Sequence, residues 1–212
     1  MWQGLDTKCG KDFLSSNCFR GMTAAPHNSR LIFVTGVHHS GTTLLRHIIG
    51  THSRVSEVAE EMWPSTEYIN SALYYGGTCN NLEEGEDCFV VVKNPFNNER
   101  KLGRIKEVLK DASHLKRVDV VAIVRDPVDV AWSVEKRRGG GILGRLRESW
   151  ETPLFMGRSL KQLTSHTHFV RYEDLVDHLP TEIQRLCKDL SLPYEEGMLE
   201  YYKTPMEVTN QV

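Results

Sequence analysis

The sequence has no apolar run long enough to cross a membrane. Its most apolar stretches, Leu31–Val34 and Val118–Val124, are well short of the roughly 20 residues that a spanning helix needs. It also lacks a charge excess of either sign, since 26 Lys and Arg stand against 28 Asp and Glu, for a net charge of −2. This balance argues against bulk electrostatic binding to nucleic acid, so we expect neither a nucleic-acid partner nor a membrane span.

The sequence is also poor in cysteine patterns. Its five cysteines are an odd number and contain no C-x-x-C pair and no zinc spacing, and His166 and His168 have no partner at metal spacing, so we expect no metal site. Residues 1–30 lack the apolar core of a signal peptide. These features predict free thiols in a reducing compartment, the cytoplasm by default. The alternative is a Cys79–Cys88 disulfide in an oxidising compartment.

Short apolar segments alternate with amphipathic helical patterns after an irregular lead-in at residues 1–30. Such alternation is typical of a parallel sheet covered by helices on both faces, the doubly wound α/β class. We predict one such domain over residues 31–212, with ligands bound beyond the carboxyl ends of its strands. The predicted strands are Leu31–Thr35, Cys88–Val92, Val118–Val124 and His168–Arg171.

The loop after the first predicted strand has the spacing of a phosphate-binding loop. Gly36 and Gly41 are arranged as G-x-x-x-x-G between a strand and a helix, where backbone N–H groups and the helix N-terminus favour an anion. A nucleoside triphosphatase would have Lys where this chain has Thr42. The candidate anion-binding residues are Gly36, His38, His39, Ser40, Gly41, Thr42 and Thr43.

The segment Leu31–Ile49, with its Ser-Gly-Thr-Thr core, resembles the 5′-phosphosulfate loop of sulfotransferases that use 3′-phosphoadenosine 5′-phosphosulfate (PAPS). It is most similar to the tyrosylprotein sulfotransferase branch. The resemblance implies a P-loop-type fold and transfer of a sulfuryl group from PAPS to a hydroxyl of a tyrosine, carbohydrate or small alcohol, with 3′,5′-adenosine bisphosphate (PAP) as product and no metal. Where the family has Arg or Lys before this core, the chain has His39, whose charge depends on pH.

A second segment, Val120–Pro127, resembles the family's 3′-phosphate motif, a strand that ends in Arg-Asp-Pro. Arg125 leaves the strand, and Ser133 follows about two turns into the next helix, so both can reach one phosphate. Arg137 lies one further turn along the same face and matches a third phosphate ligand of the tyrosylprotein branch. An Arg-Asp-Pro segment alone is also a common helix cap. The binding interpretation is favoured here because a donor phosphorylated at both ends requires two pockets, and the sequence contains two candidate motifs.

The resemblance also implies catalytic residues. Glu61 corresponds to the family's catalytic base, with Glu60 as the competitor, because the alignment needs one extra residue. Lys93 corresponds to a lysine that contacts the transferring group, although Asn94 replaces the family's Asp. With His39, Lys93 would stabilise charge on the bridging oxygen during in-line displacement. Tyr172 corresponds to a residue that approaches the nucleotide.

Several expectations concern the rest of the chain. A basic closing segment found in the family has no obvious counterpart before Val212, so the alternative function is a catalytically impaired PAP- or PAPS-binding or interaction protein. A small P-loop kinase is a weaker rival. The resemblance implies an alternative location, because the relatives most like this chain work in the Golgi lumen behind a membrane anchor. A homodimer is one assembly that the sequence allows. We expect Trp132 and Trp150 to pack in the core, and the acceptor pocket to use loops at Trp63–Asn81 and Gly139–Trp150.

Overall fold

Strands and helices alternate along the part of the chain that the computed structural model describes, which is residues 28–61, 69, 85–95, 99–139 and 141–204. For residues 57–61, 99–102, 138, 142–145 and 148 this description covers the backbone alone. The elements are β1 (Ser29–Gly36), α1 (Thr42–Gly50), β2 (Val55–Glu61), β3 (Cys88–Lys93), α2 (Glu99–Asp111), β4 (Arg117–Val124), α3 (Pro127–Arg138), α4 (Ile142–Leu163), β5 (Thr167–Arg171), α5 (Tyr172–Asp177), α6 (Leu179–Leu190) and a 3₁₀ helix (Glu196–Lys203).

The five strands form one parallel sheet in the order β2-β3-β1-β4-β5, and this confirms the predicted fold class. β1 is central, with β3 on one side and β4 on the other. In this register Val34 lies opposite Lys93, and Gly36 lies opposite Ile123. Because all strands are parallel, the loops after β1, β3 and β4 leave the sheet at the same edge.

Each face of the sheet is covered by its own set of helices. Successive side chains of a strand point to opposite faces, so Ile32 and Val34 join one core while Leu31 and Phe33 join the other. The first core is covered by α1, α5, α6 and the 3₁₀ helix, and the second by α2 and α4. This explains why the central strands are apolar on both sides.

The sequence-based prediction does not include β2 or α4. β2 is an edge strand that pairs with β3 and has three glutamates in seven residues, so it has no continuous apolar pattern. α4 contains Pro153 in its interior, a residue that normally ends a helix. Because α4 begins at Ile142, the predicted loop at Gly139–Trp150 is wrong beyond its first residues. The structure does not describe the lead-in up to residue 27. It describes only residue 69 of the other predicted acceptor loop, Trp63–Asn81.

β4 is not apolar throughout, because Asp119 is fully buried within it. Its carboxylate accepts hydrogen bonds from Arg30 Nη2 at 2.8 Å and from Arg117 Nε at 2.9 Å, and it lies 2.9 Å from His168 Nε2. Arg30, which is 2% exposed, also donates to Asp87 at 3.1 Å and to the Leu190 carbonyl at 2.6 Å. This cluster joins β1, β4, β5 and the end of α6 at the amino edge of the sheet.

Burial alone would raise the pKa of Asp119, but the hydrogen bonds from His168, Arg30 and Arg117 outweigh it and hold the pKa below its ordinary value. A carboxylate whose pKa is lowered by folding stabilises the folded state above its unfolded pKa, about 3.9. That contribution is lost as the pH falls through the folded value.

Three further side chains bear on the sequence predictions. Cys88 is disulfide-bonded, so the free-thiol prediction is wrong for this residue, whereas Cys187 is a buried free thiol whose pKa burial raises to about 11. Trp132 and Trp150 are each 59% exposed, so the prediction that they pack in the core is wrong. Among the described helices, none has the length and apolarity needed to cross a membrane.

Replacing the buried carboxylate tests the cluster at the amino edge. We expect Asp119→Asn to lower the free energy of unfolding by about 3–5 kcal/mol, because Arg30 then keeps its buried charge without its main counter-ion. Urea unfolding at pH 7 measures this loss, and the wild-type advantage should shrink on acidification. Glu151→Gln, at an exposed pair with Arg147, is the control and should change stability by less than about 0.5 kcal/mol. Equal effects of the two substitutions would contradict this account.

Candidate functional site

The loop from Gly36 to Thr43 folds tightly between β1 and α1. Both the backbone N–H and the hydroxyl of Ser40 donate to the Val37 carbonyl, at 3.0 and 2.7 Å. Ser40 is fully buried. Its hydroxyl therefore closes the turn, which is a structural role that the sequence did not reveal.

Two glycines of the loop are required by close approach to neighbouring strands. A Cβ at Gly36 would lie 2.5 Å from the Ile123 carbonyl oxygen on β4. Gly41 has a φ of +102°, and a Cβ there would lie 2.6 Å from the ring of Tyr172. The loop therefore lies directly against the end of β4 and the start of α5.

The N-terminus of α1 has the features of an anion site. Gly41 is its N-cap, no side chain caps it, and its first turn contains no acidic residue. The first N–H groups of a helix lack partners inside the helix and carry partial positive charge. Those of α1 are thus left for a phosphate or sulfate, which fits the predicted role of Thr42 and Thr43.

Lys93 brings a cation to this loop from the neighbouring strand. It ends β3, is 5% exposed, and its Nζ donates to Thr43 Oγ1 at 3.0 Å. The strand end is fixed to β1, because the Asn94 N–H donates to the Val34 carbonyl and the Thr35 hydroxyl donates to the Asn94 carbonyl. The cation that Thr42 does not provide therefore comes from β3.

The second predicted motif contacts the same loop through His39. Arg125 Nη1 donates to the His39 carbonyl at 3.3 Å, and Ser133 Oγ lies 3.2 Å from His39 Nδ1. His39 has a φ of +68°, a left-handed conformation that is uncommon for a residue other than glycine. The two motifs thus meet on one side of the sheet edge, with His39 between them.

Arg125 has hydrogen-bonding capacity left over. Its guanidinium stacks on the Tyr172 ring at 4.3 Å and lies 3.7 Å from Asp129. Within the described part of the chain, its buried Nε–H has no acceptor. The Arg125 side chain is 22% exposed, so a ligand that supplies acceptor oxygens, as a phosphate does, can approach its guanidinium.

The N-terminus of α3 differs from that of α1 because a side chain already caps it. Asp126 accepts from the N–H groups of Val128 and Asp129, at 2.8 and 3.3 Å, and Pro127 occupies the first turn. The Asp126 N–H in turn donates to Glu173 at 2.8 Å. A second anion near β4 would therefore bind to side chains. The Asp-Pro pair signalled this cap, whereas the role of Glu173 had no sequence signal.

The remaining candidate residues are described with fewer contacts than His39, Lys93 and Arg125. A cavity of about 290 Å³ at the ends of β4 and β5 is lined by Val124, Arg125, Asp126, Arg171 and Glu173. Arg137 is exposed on α3 and His38 is half-buried. Glu61 ends β2 with its backbone in register with Lys93, and the side chains of Glu60 and Glu61 lie outside the description. The described residues contain no group of three or more His, Cys, Asp or Glu arranged to hold a metal ion.

Comparisons with known proteins point to one family. A sequence model described as the sulfotransferase family matches residues 57–196, downstream of the Gly36–Thr43 loop. Among curated proteins, no sequence matches the chain.

Similar solved structures include the sulfotransferase domain of the curacin biosynthetic pathway, with a TM-score of 0.58 and 20% identity, covering 87% of this chain and 80% of that one. The sulfotransferase domain of the Synechococcus PCC 7002 olefin synthase has a TM-score of 0.61 and 15% identity, and the match again covers 87% of this chain and 80% of that one. A mouse sulfotransferase complexed with PAP has a TM-score of 0.51 and 13% identity, and the match covers 96% of this chain and 73% of that one. At these identities the likeness shows the fold.

Adding a methyl group at Gly41 tests the close packing of the loop. We expect Gly41→Ala to lower the free energy of unfolding by about 1–3 kcal/mol, because its Cβ would meet Tyr172 and its φ is positive. The matched control is Gly157→Ala in α4, where a Cβ meets nothing within 4 Å, and it should stabilise by up to about 1 kcal/mol. Urea unfolding measures both, and a Gly41→Ala protein as stable as wild type would refute the close approach.

Proposed function

The chain belongs to the sulfotransferase family, whose activity is sulfotransfer, and we propose that it transfers a sulfuryl group from PAPS to a hydroxyl acceptor. The observation that carries the proposal is the meeting of two anion-binding motifs at His39. A nucleotide phosphorylated at both its 5′ and 3′ ends needs two such motifs close together. The proposed sulfotransferase domain is residues 31–212.

The loop and α1 would bind the 5′ end of the donor. The uncapped first turn of α1 offers N–H groups, Thr42 and Thr43 offer hydroxyls, and Lys93 offers a cation beside Thr43. His38, Gly36 and Ser40 shape the loop around this end. The arrangement does not require the loop lysine of a nucleoside triphosphatase, and this argues against the kinase alternative.

The end of β4 and the face of α3 would bind the 3′-phosphate. Arg125 supplies a forked cation with an unused Nε–H, and Ser133 supplies a hydroxyl on the same side. Arg137, one turn beyond Ser133 and exposed, is in reach of a phosphate by sequence spacing. Tyr172, which supports Arg125 by stacking, would contact the nucleoside.

Sulfuryl transfer to an alcohol needs a base for the acceptor proton and cations for the charge left on the departing phosphate. Glu61 is the proposed base, and its backbone register with Lys93 at neighbouring strand ends supports it over Glu60. Lys93 and His39 would donate to the bridging oxygen as the sulfur–oxygen bond breaks. In this scheme the acceptor oxygen attacks in line and its proton passes to Glu61.

The acceptor classes that fit this chemistry are tyrosine, carbohydrate and small-alcohol hydroxyls. The tyrosylprotein branch remains a proposal, supported by the spacing of Arg125, Ser133 and Arg137. The disulfide at Cys88 favours an oxidising compartment, and thus the Golgi lumen over the cytoplasm. The alternative function is a PAP- or PAPS-binding protein without transfer activity, in which His39 has lost the role of the family's Arg or Lys.

Titration with PAP tests the donor site without knowledge of the acceptor. We expect Arg125→Ala to weaken binding by about 10- to 150-fold, the equivalent of 1.5–3 kcal/mol for a hydrogen-bonded ion pair. The matched control, Arg185→Ala on α6, removes an arginine that binds Glu182 and Asp189 and should leave the affinity nearly unchanged. If isothermal titration gave the same affinity for wild type and Arg125→Ala, the second anion pocket would be wrong.

Transfer of labelled sulfate from PAPS to a panel of tyrosine peptides, saccharides and alcohols tests the chemistry. We expect Lys93→Ala to lower kcat by about 10²–10³-fold and Glu61→Gln by about 10²–10⁴-fold. Glu61→Gln should still bind PAP normally, because the base faces the acceptor. Glu107→Gln, exposed on α2, is the control. Wild-type protein that binds PAP but sulfates nothing in the panel would favour the alternative function.

A further inference from the structure

His39 is the point at which the two ends of the proposed donor site touch. Its carbonyl accepts from Arg125, and its Nδ1 faces the Ser133 hydroxyl at 3.2 Å. Both contacts use groups that the 3′-phosphate of the donor would also use. Whatever binds at Arg125 and Ser133 therefore changes the hydrogen bonding of His39.

A serine hydroxyl has one proton to donate and two lone pairs that accept. Without a ligand, Ser133 can donate its proton to an unprotonated Nδ1. Once that proton is directed to a phosphate oxygen, Ser133 can face His39 only as an acceptor. The 3.2 Å contact then persists only if Nδ1 carries a proton, either in the neutral Nδ1–H tautomer or in the imidazolium, and only the imidazolium takes a proton from solvent.

The charges around His39 act in the same direction. Arg125 at the end of β4 and Lys93, which binds Thr43 in the same loop, are both positive, and the N-terminus of α1 adds partial positive charge. These groups oppose a second positive charge on the imidazole. A phosphate with nearly two negative charges beside Arg125 reverses the sign of the local field.

Other titratable groups lie close by on the loop, on α3 and at the start of α5. Asp129, at 3.7 Å from Arg125, lessens the positive field, and exposed Arg137 adds to it. His38 is the adjacent histidine, and the Tyr172 ring stacks on Arg125. Each of these groups is present both before and after the phosphate binds, so its presence does not account for a change in the charge of His39 on binding.

We infer that binding of the donor's 3′-phosphate places a proton from solvent on His39, so that the loop gains its positive charge only when a doubly phosphorylated nucleotide is bound. The inference rests on the proposed function. The Arg or Lys of the resembled motif is charged at all times, whereas His39 would make the charge at the reacting end conditional. Nucleotides that lack the 3′-phosphate would leave His39 neutral, and this would select the donor at the transfer step as well as at binding.

Proton uptake on PAP binding measures this directly. Isothermal titration at pH 7 in buffers of different ionisation enthalpy gives the number of protons bound per PAP. A histidine with an ordinary pKa of about 6.5 is roughly one-quarter protonated at pH 7, so complete protonation takes up about 0.75 proton, and up to about one proton where neighbouring cations keep the free imidazole neutral. We expect wild type to take up roughly 0.3–1 proton more than His39→Arg, and the comparison removes any proton change of PAP itself.

Two further measurements locate the proton. Ser133→Ala should lose most of the extra uptake, and adenosine 5′-phosphate should produce little of it with wild type. His39→Asn, which tolerates the left-handed backbone, serves as a second variant and should match His39→Arg in its lack of uptake.

Wild type and both His39 variants that bind PAP with equal proton counts would overturn the inference and leave the proposed function standing. A proton uptake by His39→Arg that equals the wild-type uptake, together with a lower uptake by His38→Ala, would overturn it as well. Wild-type protein that does not bind PAP would instead reject the proposed function.

Discussion

The pairing of β1 with β4 at the centre of the sheet is the constraint on which the candidate site depends. Gly36 lies in register with Ile123, so the loop after β1 and Arg125 leave the sheet almost side by side. A side chain at Gly36 would strike the Ile123 carbonyl, and one at Gly41 would strike Tyr172. The two motifs that we propose to bind anions are far apart in sequence, and they can therefore meet only while these positions remain without a Cβ.

The two edges of the sheet use arginine in different ways. At the amino edge, the terminal nitrogens of Arg30 bind Asp119, Asp87 and the Leu190 carbonyl, and the side chain is almost fully buried. At the carboxyl edge, Arg125 has one long hydrogen bond to a carbonyl and a carboxylate at 3.7 Å. Two carboxylates neutralise Arg30, whose side chain is 2% exposed, whereas the side chain of Arg125 is 22% exposed and pairs with a carboxylate at the longer distance of 3.7 Å. The contrast separates a structural guanidinium from one suited to binding.

The sequence predicted the apolar strands and the order of elements around the loop well, because buried parallel strands are continuous apolar runs. It failed where tertiary contacts decide the structure. β2 is held at an edge by its pairing with β3, despite its glutamates, and α4 continues through Pro153 by packing on the second core. The burial of Asp119 depends on Arg117 of the same strand and on Arg30 and His168 from two other strands, which are far from it in sequence.

The site residues show the same difference between what local sequence predicts and what tertiary contacts decide. Local spacing nominated the loop, and the resemblance to the family nominated Arg125 and Ser133, but neither could show that His39 would contact these two residues or that Lys93 would reach Thr43. Those contacts follow from the strand order, which a single sequence does not specify.

The distribution of cations also bears on the kind of nucleotide that fits. A triphosphate concentrates its charge at one end, and the loops that bind it place a lysine within the loop and use a divalent cation. Here the loop contributes Thr42 in that position, while Lys93 comes from β3 and Arg125 from β4, on opposite sides of β1. Positive charge divided between two strand ends matches negative charge divided between the two ends of a nucleotide. In the proposal, His39, which contacts Arg125 and Ser133, would be the residue that changes its protonation at one end of the site when the other end is occupied.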